Sequence, residues 1–273
     1  MPPERFRSKE ESSSEKIEGI VKDVGFSEAI GPRPTMEDTH LIEREFFGRK
    51  DRQFFAVYDG HGSREGAEAA AQKLHYYLEE GLNKGLEVQQ ALKSAYELID
   101  GNIEFLEEAQ GRNFGTTAVT AFIEGRKLTV ANVGDARAVL ERGGKVLRLS
   151  EEHKVRTPKE EKRITEAGGK ITAYRGRTYV EGQGNMLEVS RSLGDGSFRP
   201  FVTHEPVFYE VELNQECKKL ILACDGLWDV MSDQEAVALI KNAPAAEAAA
   251  QLLKNEALRR NSKDNITVIV VNF

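Results

Sequence analysis

Six aspartates stand beside turn residues at the ends of apolar runs, where carboxylates can do chemistry. Asp38 immediately precedes the run 39–47, and Asp59 ends the run 53–58. Asp135 lies between 126–133 and 136–142. Asp225 ends the run 218–224, Asp229 follows in the same turn, and Asp264 immediately precedes the run that closes the chain. Antiparallel neighbours place the end of one strand beside the start of the next. Asp38, Asp59, Asp225 and Asp264 can therefore gather on one edge of a β core. Aspartate is also an ordinary turn residue, so the pattern alone leaves both roles open. Gathered carboxylates repel, and burying them uncompensated is costly. A bound hard cation resolves this, and oxygen donors without a Cys or His cluster point to Mg²⁺ or Mn²⁺ rather than Zn²⁺. Two such ions bridged by water would make a nucleophilic hydroxide near neutral pH. They would also give an acidic chain a positive pocket for an anion such as a phosphate ester. The segment DGHG (59–62) adds to this. Gly60 allows a tight turn and can expose its carbonyl to a metal. His61 shares that turn with a carboxylate and gains a proton-transfer role, whereas His40, His75, His153 and His204 read as structural.

The elements that must position these residues follow from periodicity. THLIEREFF (39–47) and QFFAVYD (53–59) read as strands, and so do GTTAVTAFIE (115–124), RKLTVANV (126–133) and ARAVLERG (136–143). VFYEVEL (207–213), KKLILAC (218–224) and NITVIVVNF (265–273) complete the β pattern. Helical spacing covers 63–82, 88–108, 158–169, 232–242 and 244–260. Ser232 with Glu235 predicts a capping box, and 174–186 reads as a long flexible loop. The strand meander 115–143 has no crossover helices, which disfavours a doubly wound parallel sheet. The expected fold is α+β: a β-sandwich of two largely antiparallel sheets flanked by helices, an αββα four-layer arrangement.

The chain has 273 residues, long for one ordinary domain and short for two, which favours a single large domain. Residues 1–22 are charged and Ser-rich, with Ser12, Ser13 and Ser14 together, and read as a flexible N-terminal extension before a catalytic domain at 23–273. With 38 Lys plus Arg against 45 Asp plus Glu, the net charge of −7 argues against nucleic-acid and anionic-membrane binding. Cys217 and Cys224 are too few for a disulfide framework, there is no membrane-spanning run, and the start has no secretory signal. An intracellular location, cytoplasmic or nuclear, is expected.

The motifs GPRPTMEDTH (31–40), FFAVYDGHGS (54–63), FGTTAVTAFI (114–123), LTVANVGDARAVL (128–140), ITEAGGKI (164–171), LEVSRSLGDGSFRP (187–200), LILACDGLWDVMSDQEAV (220–237) and KDNITVIVV (263–271) occur in this order. Together they resemble the metal-dependent serine/threonine protein phosphatases of the type-2C class, the PPM family. The resemblance implies the packed pair of sheets argued above. It implies that Asp59 bridges two metals, with the Gly60 carbonyl as a further ligand and Asp225 and Asp264 on one ion. Glu37, with Asp38 nearby, would hold metal-bound water on the other side. Arg33 would bind the substrate phosphate, His61 would protonate the leaving alcohol, and Asp135 with Asp225 or Asp229 would form a weaker third-metal site. The cofactors are then two Mn²⁺ or Mg²⁺ ions with a third bound weakly, and the partners are phosphorylated proteins acted on by a monomer. A metal-bridging water or hydroxide would hydrolyse phosphoserine and phosphothreonine without a phosphoenzyme. The alternatives are a catalytically dead scaffold relative and a phosphatase for small phosphate esters. Glu152-His153-Lys154-Val155 departs from the family's Asp-His-Lys-Pro, where no catalytic role attaches, and EGQGN (181–185) departs from its shorter turn. Gly194-Asp195 in SLGDG could be another ligand site but reads rather as a turn that orders the chain.

Overall fold

A computed structural model describes residues 20–273. The expectations for Ser12–Ser14 and for the rest of 1–19 lie outside the described residues.

The central strands are buried on both faces, and their alternation builds four layers. β3 (Arg52–Tyr58) sends Phe54, Ala56 and Tyr58 toward the helices and Phe55 and Val57 toward the facing sheet. β16 (Ile266–Asn272) does the same, with Ile266, Val268 and Val270 on the helix side and Ile269 and Val271 between the sheets. Two-sided burial explains why these strands read as nearly continuous apolar runs.

One five-stranded antiparallel sheet runs in the order β1 (Asp23–Ala29), β16, β15 (Cys217–Ala223), β8 (Arg137–Arg142) and β9 (Lys145–Arg148). The other runs β14 (Val207–Glu212), β7 (Lys127–Val133), β6 (Ala118–Glu124), β3 and β2 (Thr39–Glu43). Helices α1 (Glu65–Asn83) and α2 (Val88–Gln110) cover the second sheet, while α5 (Asp233–Ile240) and α6 (Ala246–Arg259) cover the first. The expected sandwich is thus present. Ser232 caps α5 in the expected capping box with Glu235.

Three local expectations are corrected. The run 115–124 is not one strand: β5 (Gly115–Thr116) turns aside before β6 to pair with β4 (Gly60–His61) and β13 (Leu193–Gly194). The stretch 174–186 is not a loop. With its neighbours it forms a meander of β10 (Ile171–Tyr174), β11 (Arg177–Gly182) and β12 (Asn185–Leu187). Two-residue turns Arg175-Gly176 and Gln183-Gly184, all at positive φ, close its two hairpins. These strands are short and carry one fully buried residue, Val180, with Ile171 and Leu187 packed against the same small cluster, too few for a reading by periodicity. Asp229 follows a short helix α4 (Asp225–Trp228) rather than sharing a bare turn with Asp225. β1 and β9 were also not expected; both are edge strands, and β9 has no fully buried residue. α3 (Pro158–Glu166) forms within the expected helical span 158–169, lies near the meander and carries proline at its start.

Candidate active site

The strand register assembles the carboxylates. Thr39 pairs with Tyr58 in β2–β3, so Asp38 and Asp59 leave the sheet side by side. Ala223 pairs with Val268 in β15–β16, which sets Asp225 near the entry of β16, preceded by Asp264. Packing of the two sheets brings both pairs to one edge. There a cleft of about 270 Å³ is lined by Arg33, Glu37, Asp59, Gly60, His61, Asp135, Asp225 and Asp264, among others. Eight of the ten expected site residues share this cleft.

The other two are displaced. Asp38 is buried behind the cleft, its carboxylate grouped with Asp59 and the Cys224 thiol. Asp229 stands partly exposed at the side, where Lys154 Nζ approaches its Oδ1 at 3.3 Å.

The segment before β2 is clamped from below. Asn265 donates through Nδ2 to the Ile30 and Thr35 carbonyls at 2.8 and 3.0 Å, and its Oδ1 accepts from the Glu37 amide at 2.8 Å. Arg33, between Pro32 and Pro34, donates from Nε to the Lys263 carbonyl at 3.2 Å and from Nη2 to Asp264 at 2.5 Å. Gly60 is required by a close approach: a Cβ there would lie 2.5 Å from the Glu37 carbonyl oxygen.

The electrostatics are those of a site that lacks cations of its own in sufficient number. One carboxylate oxygen each from Asp59, Asp135 and Asp225 lie within 4.8 Å of one another. Burial first, then the neighbouring carboxylates, push Asp59 and Asp225 well above the usual carboxylate range. Burial pushes Asp38 up to about 6, and its Oδ2 has no hydrogen-bond partner. An orphaned buried carboxylate oxygen beside three converging carboxylates fits hard divalent cations. The donor set contains no imidazole cluster, and its one thiol, Cys224, is itself held protonated by burial.

Reading the sequence missed four groups. Lys154, nearly fully buried, sets its ammonium 3.2 Å from Asp135, 3.6 Å from Asp225 and 3.3 Å from Asp229. Burial would lower its pKa, but the three carboxylates outweigh burial and raise it. The segment 152–155, for which no catalytic role was expected, therefore carries an internal cation for the acidic cluster. Asp195 is not merely a turn residue: it is fully buried and meets His61 Nε2 at 2.7 Å. Burial opposes the charged forms of both, yet the contact raises His61 and lowers Asp195. Arg177 and Glu188, from β11 and the segment after β12, complete the cleft wall and pair at 2.6 Å. Lys154 and Asp195 lie in motifs quoted above, but no local spacing announces a partner 71 or 134 residues away in the chain.

His40, His75, His153 and His204 do not line the cleft. Cys217 and Cys224 are free and buried, and Trp228 packs in the core. No helix among the described residues is long and apolar enough to cross a membrane.

Comparison with known proteins places this arrangement. The family model described as Protein phosphatase 2C matches residues 22–266. "Probable protein phosphatase 2C 52" of Oryza sativa subsp. japonica is 39% identical over 249 residues, which cover 91% of this chain and 50% of the relative. "Probable protein phosphatase 2C 59" of Arabidopsis thaliana is 38% identical over 254 residues, covering 91% of this chain and 79% of the relative. The chain therefore spans half the length of the rice relative and most of the other. The crystal structure of serine-threonine phosphatase 2C from Toxoplasma gondii shares the fold, with a TM-score of 0.82 at 24% identity over 92% of this chain and 94% of that one.

Proposed function

The chain belongs to the protein phosphatase 2C family, and from that premise we propose that it hydrolyses phosphoserine and phosphothreonine on proteins, using Mn²⁺ or Mg²⁺. The observation that carries this reading is the convergence of Arg33, His61 and the carboxylates of Glu37, Asp59, Asp225 and Asp264 on one cleft. A catalytically dead scaffold would have no need of that set.

Asp59, Asp225 and Asp264 with the Gly60 carbonyl would hold the cations, Glu37 and Asp38 would act from the opposite side, and Asp135 with Asp229 would serve a third, weaker site. When bound, the cations supply Lewis acidity: they offset the carboxylate charge and lower the pKa of water toward neutrality. The chain's own residues do the rest. Arg33 offers a planar fork to two phosphoryl oxygens, held in place by its flanking prolines. Water attacks phosphorus opposite the seryl or threonyl oxygen, its surplus proton passes to bulk solvent, and the P–O bond to the seryl or threonyl oxygen breaks. His61 gives the departing oxygen its proton. No bond to the enzyme forms. Intracellular residence and a monomeric state belong to the same proposal; the two free, buried cysteines support the former.

The test compares phosphothreonine peptides with small phosphate esters of similar leaving-group pKa. A kcat/KM at least tenfold higher for the peptides is expected. Faster turnover of the small esters would make this a small-ester phosphatase, and no turnover of either with Mn²⁺ or Mg²⁺ present would remove the enzyme reading.

A further inference from the structure

His61 and Asp195 meet across a three-stranded miniature sheet. β5 forms its middle, with β4 carrying His61 on one side and β13 leading into Asp195 on the other. His61 pairs with Gly115 across β4–β5, and Gly194 pairs with the same Gly115 across β13–β5. The side chains of residues 61 and 195 thus converge on residue 115. Only a glycine leaves room for them: a Cβ on Gly115 would lie 2.8 Å from His61 Nε2 and closer still to Asp195 Oδ2. The contact is therefore built into the backbone.

Asp195 is itself tightly held. Its Oδ2 accepts from Ser192 Oγ at 2.5 Å as well as meeting His61 Nε2 at 2.7 Å, and its Oδ1 accepts from Asn113 Nδ2 at 3.2 Å. Its backbone is left-handed, with φ at 59°, an unusual conformation for a residue with a side chain. Asn113 is fixed in turn by the Ser197 hydroxyl. A fully buried carboxylate with every oxygen engaged can accept but not wander. With Nε2 taken, Nδ1 is the ring nitrogen that remains to His61, whose side chain lines the cleft.

We propose that Asp195 is a positioning residue for His61: through the gap left by Gly115 it holds the ring by Nε2–H, so that in the doubly protonated ring the Nδ1 proton is the one given to the leaving alcohol. This rests on the phosphatase reading above for its chemistry, but the locked ring does not. A carboxylate at Nε2 fixes which nitrogen keeps its proton and how the ring is oriented. Its value is geometric, and misplacing a reacting group by about 1 Å can cost about 10²-fold in rate.

The test uses Asp195→Asn, which keeps the shape of the side chain, with Asp195→Ala, Gly115→Ala, His61→Gln and the double variant His61→Gln/Asp195→Asn. Each is assayed with a phosphothreonine peptide and with p-nitrophenyl phosphate, whose good leaving group needs little proton help. Asp195→Ala and Gly115→Ala should slow the peptide at least tenfold more than the aryl ester, chiefly in kcat. Adding Asp195→Asn to His61→Gln should cost less than threefold more. Long-range ¹H–¹⁵N spectra of the imidazole, read without substrate across pH, should show Nε2 protonated throughout and only Nδ1 gaining and losing a proton in the wild type, and the neutral ring's proton shared between both nitrogens in Asp195→Ala. Equal losses on both substrates, or losses that multiply in full in the double variant, would overturn the positioning role. So would an unchanged imidazole spectrum in Asp195→Ala. An inactive wild type with the locked spectrum intact would instead count against the phosphatase reading and leave the lock standing.

Discussion

Asp38 shows what a single residue at this site does to stability. Its folded pKa is pushed up to about 6 by burial, whereas the unfolded chain titrates near the ordinary carboxylate value. The folded state therefore binds the proton more tightly, so the contribution is fully present below about pH 4 and is lost as pH rises toward about 6. Metal-stripped protein should lose up to about 3 kcal/mol between those limits through this group, and Asp59 and Asp225 act in the same direction. Chemical denaturation of stripped wild type and Asp38→Asn across pH 4–7 checks this: the variant should show the flatter profile, and a steeper one would reverse the sign argued here. Arg33 is the second case. Its Nε and Nη2 make separate contacts, to the Lys263 carbonyl and to Asp264, which one ammonium cannot reproduce. Arg33→Lys should then lose about as much kcat/KM on phosphopeptides as Arg33→Ala; wild-type kinetics in Arg33→Ala would make the arginine a bystander. These residues were legible because each sits in a short motif or at a strand end. Lys154 and Asp195 were not, because their roles depend on partners that only the fold brings near.

Among the elements, the buried strands and the amphipathic helices were legible and the polar meander was not. FFAVY (54–58) is apolar on both faces because it lies between helices and a second sheet, so its burial alone marks it. β10–β12 are short, bury only Val180 fully, and are joined by two turns at positive φ, neither with the usual Asn-Gly or Asp-Gly signature. Beneath the meander, Val180, Ile171 and Leu187 pack on Val155, Ile164, Phe198 and Val202, and an ion-pair knot ties α3, which supplies Ile164, to the segment that follows β12. Glu160 on α3 accepts from Arg191 at 2.7 Å and from Arg163 at 2.9 Å, and those arginines also hold the Glu205, Ser190 and Phe201 carbonyls. Burial would raise the Glu160 pKa, but the bonds from the two arginines outweigh it and bring it to about 2. Its contribution is present above about pH 4.3, the ordinary glutamate value, and is lost as pH falls toward 2. Glu160→Gln should cost about 3–5 kcal/mol at neutral pH, the usual loss when one partner of a buried pair is removed. Hydrogen exchange should speed up in 171–187 ahead of the core strands; uniform acceleration across the sandwich would mean the knot serves the whole fold and not the meander.

At the scale of the whole molecule, two sheets packed face to face deliver carboxylates from both to one edge, and that convergence is the account's central claim. The acidic chain carries a net charge of −7, and Lys154 and Arg33 are the cations that stand against this cluster from within the chain. Neither would suffice to draw in a dianionic phosphate ester past Asp59, Asp135, Asp225 and Asp264, so charge balance of the entire site demands added cations. The most direct measurement is phosphopeptide hydrolysis by protein stripped of metal, with metal content verified by elemental analysis, then titrated with Mn²⁺ or Mg²⁺ beside Asp59→Asn. Turnover should vanish on stripping, return in the wild type on titration, and stay at least about 10²-fold lower in the variant, the order of loss expected when a Lewis-acid site is disabled. Full turnover by verified metal-free protein, or a fully active Asp59→Asn, would contradict the account.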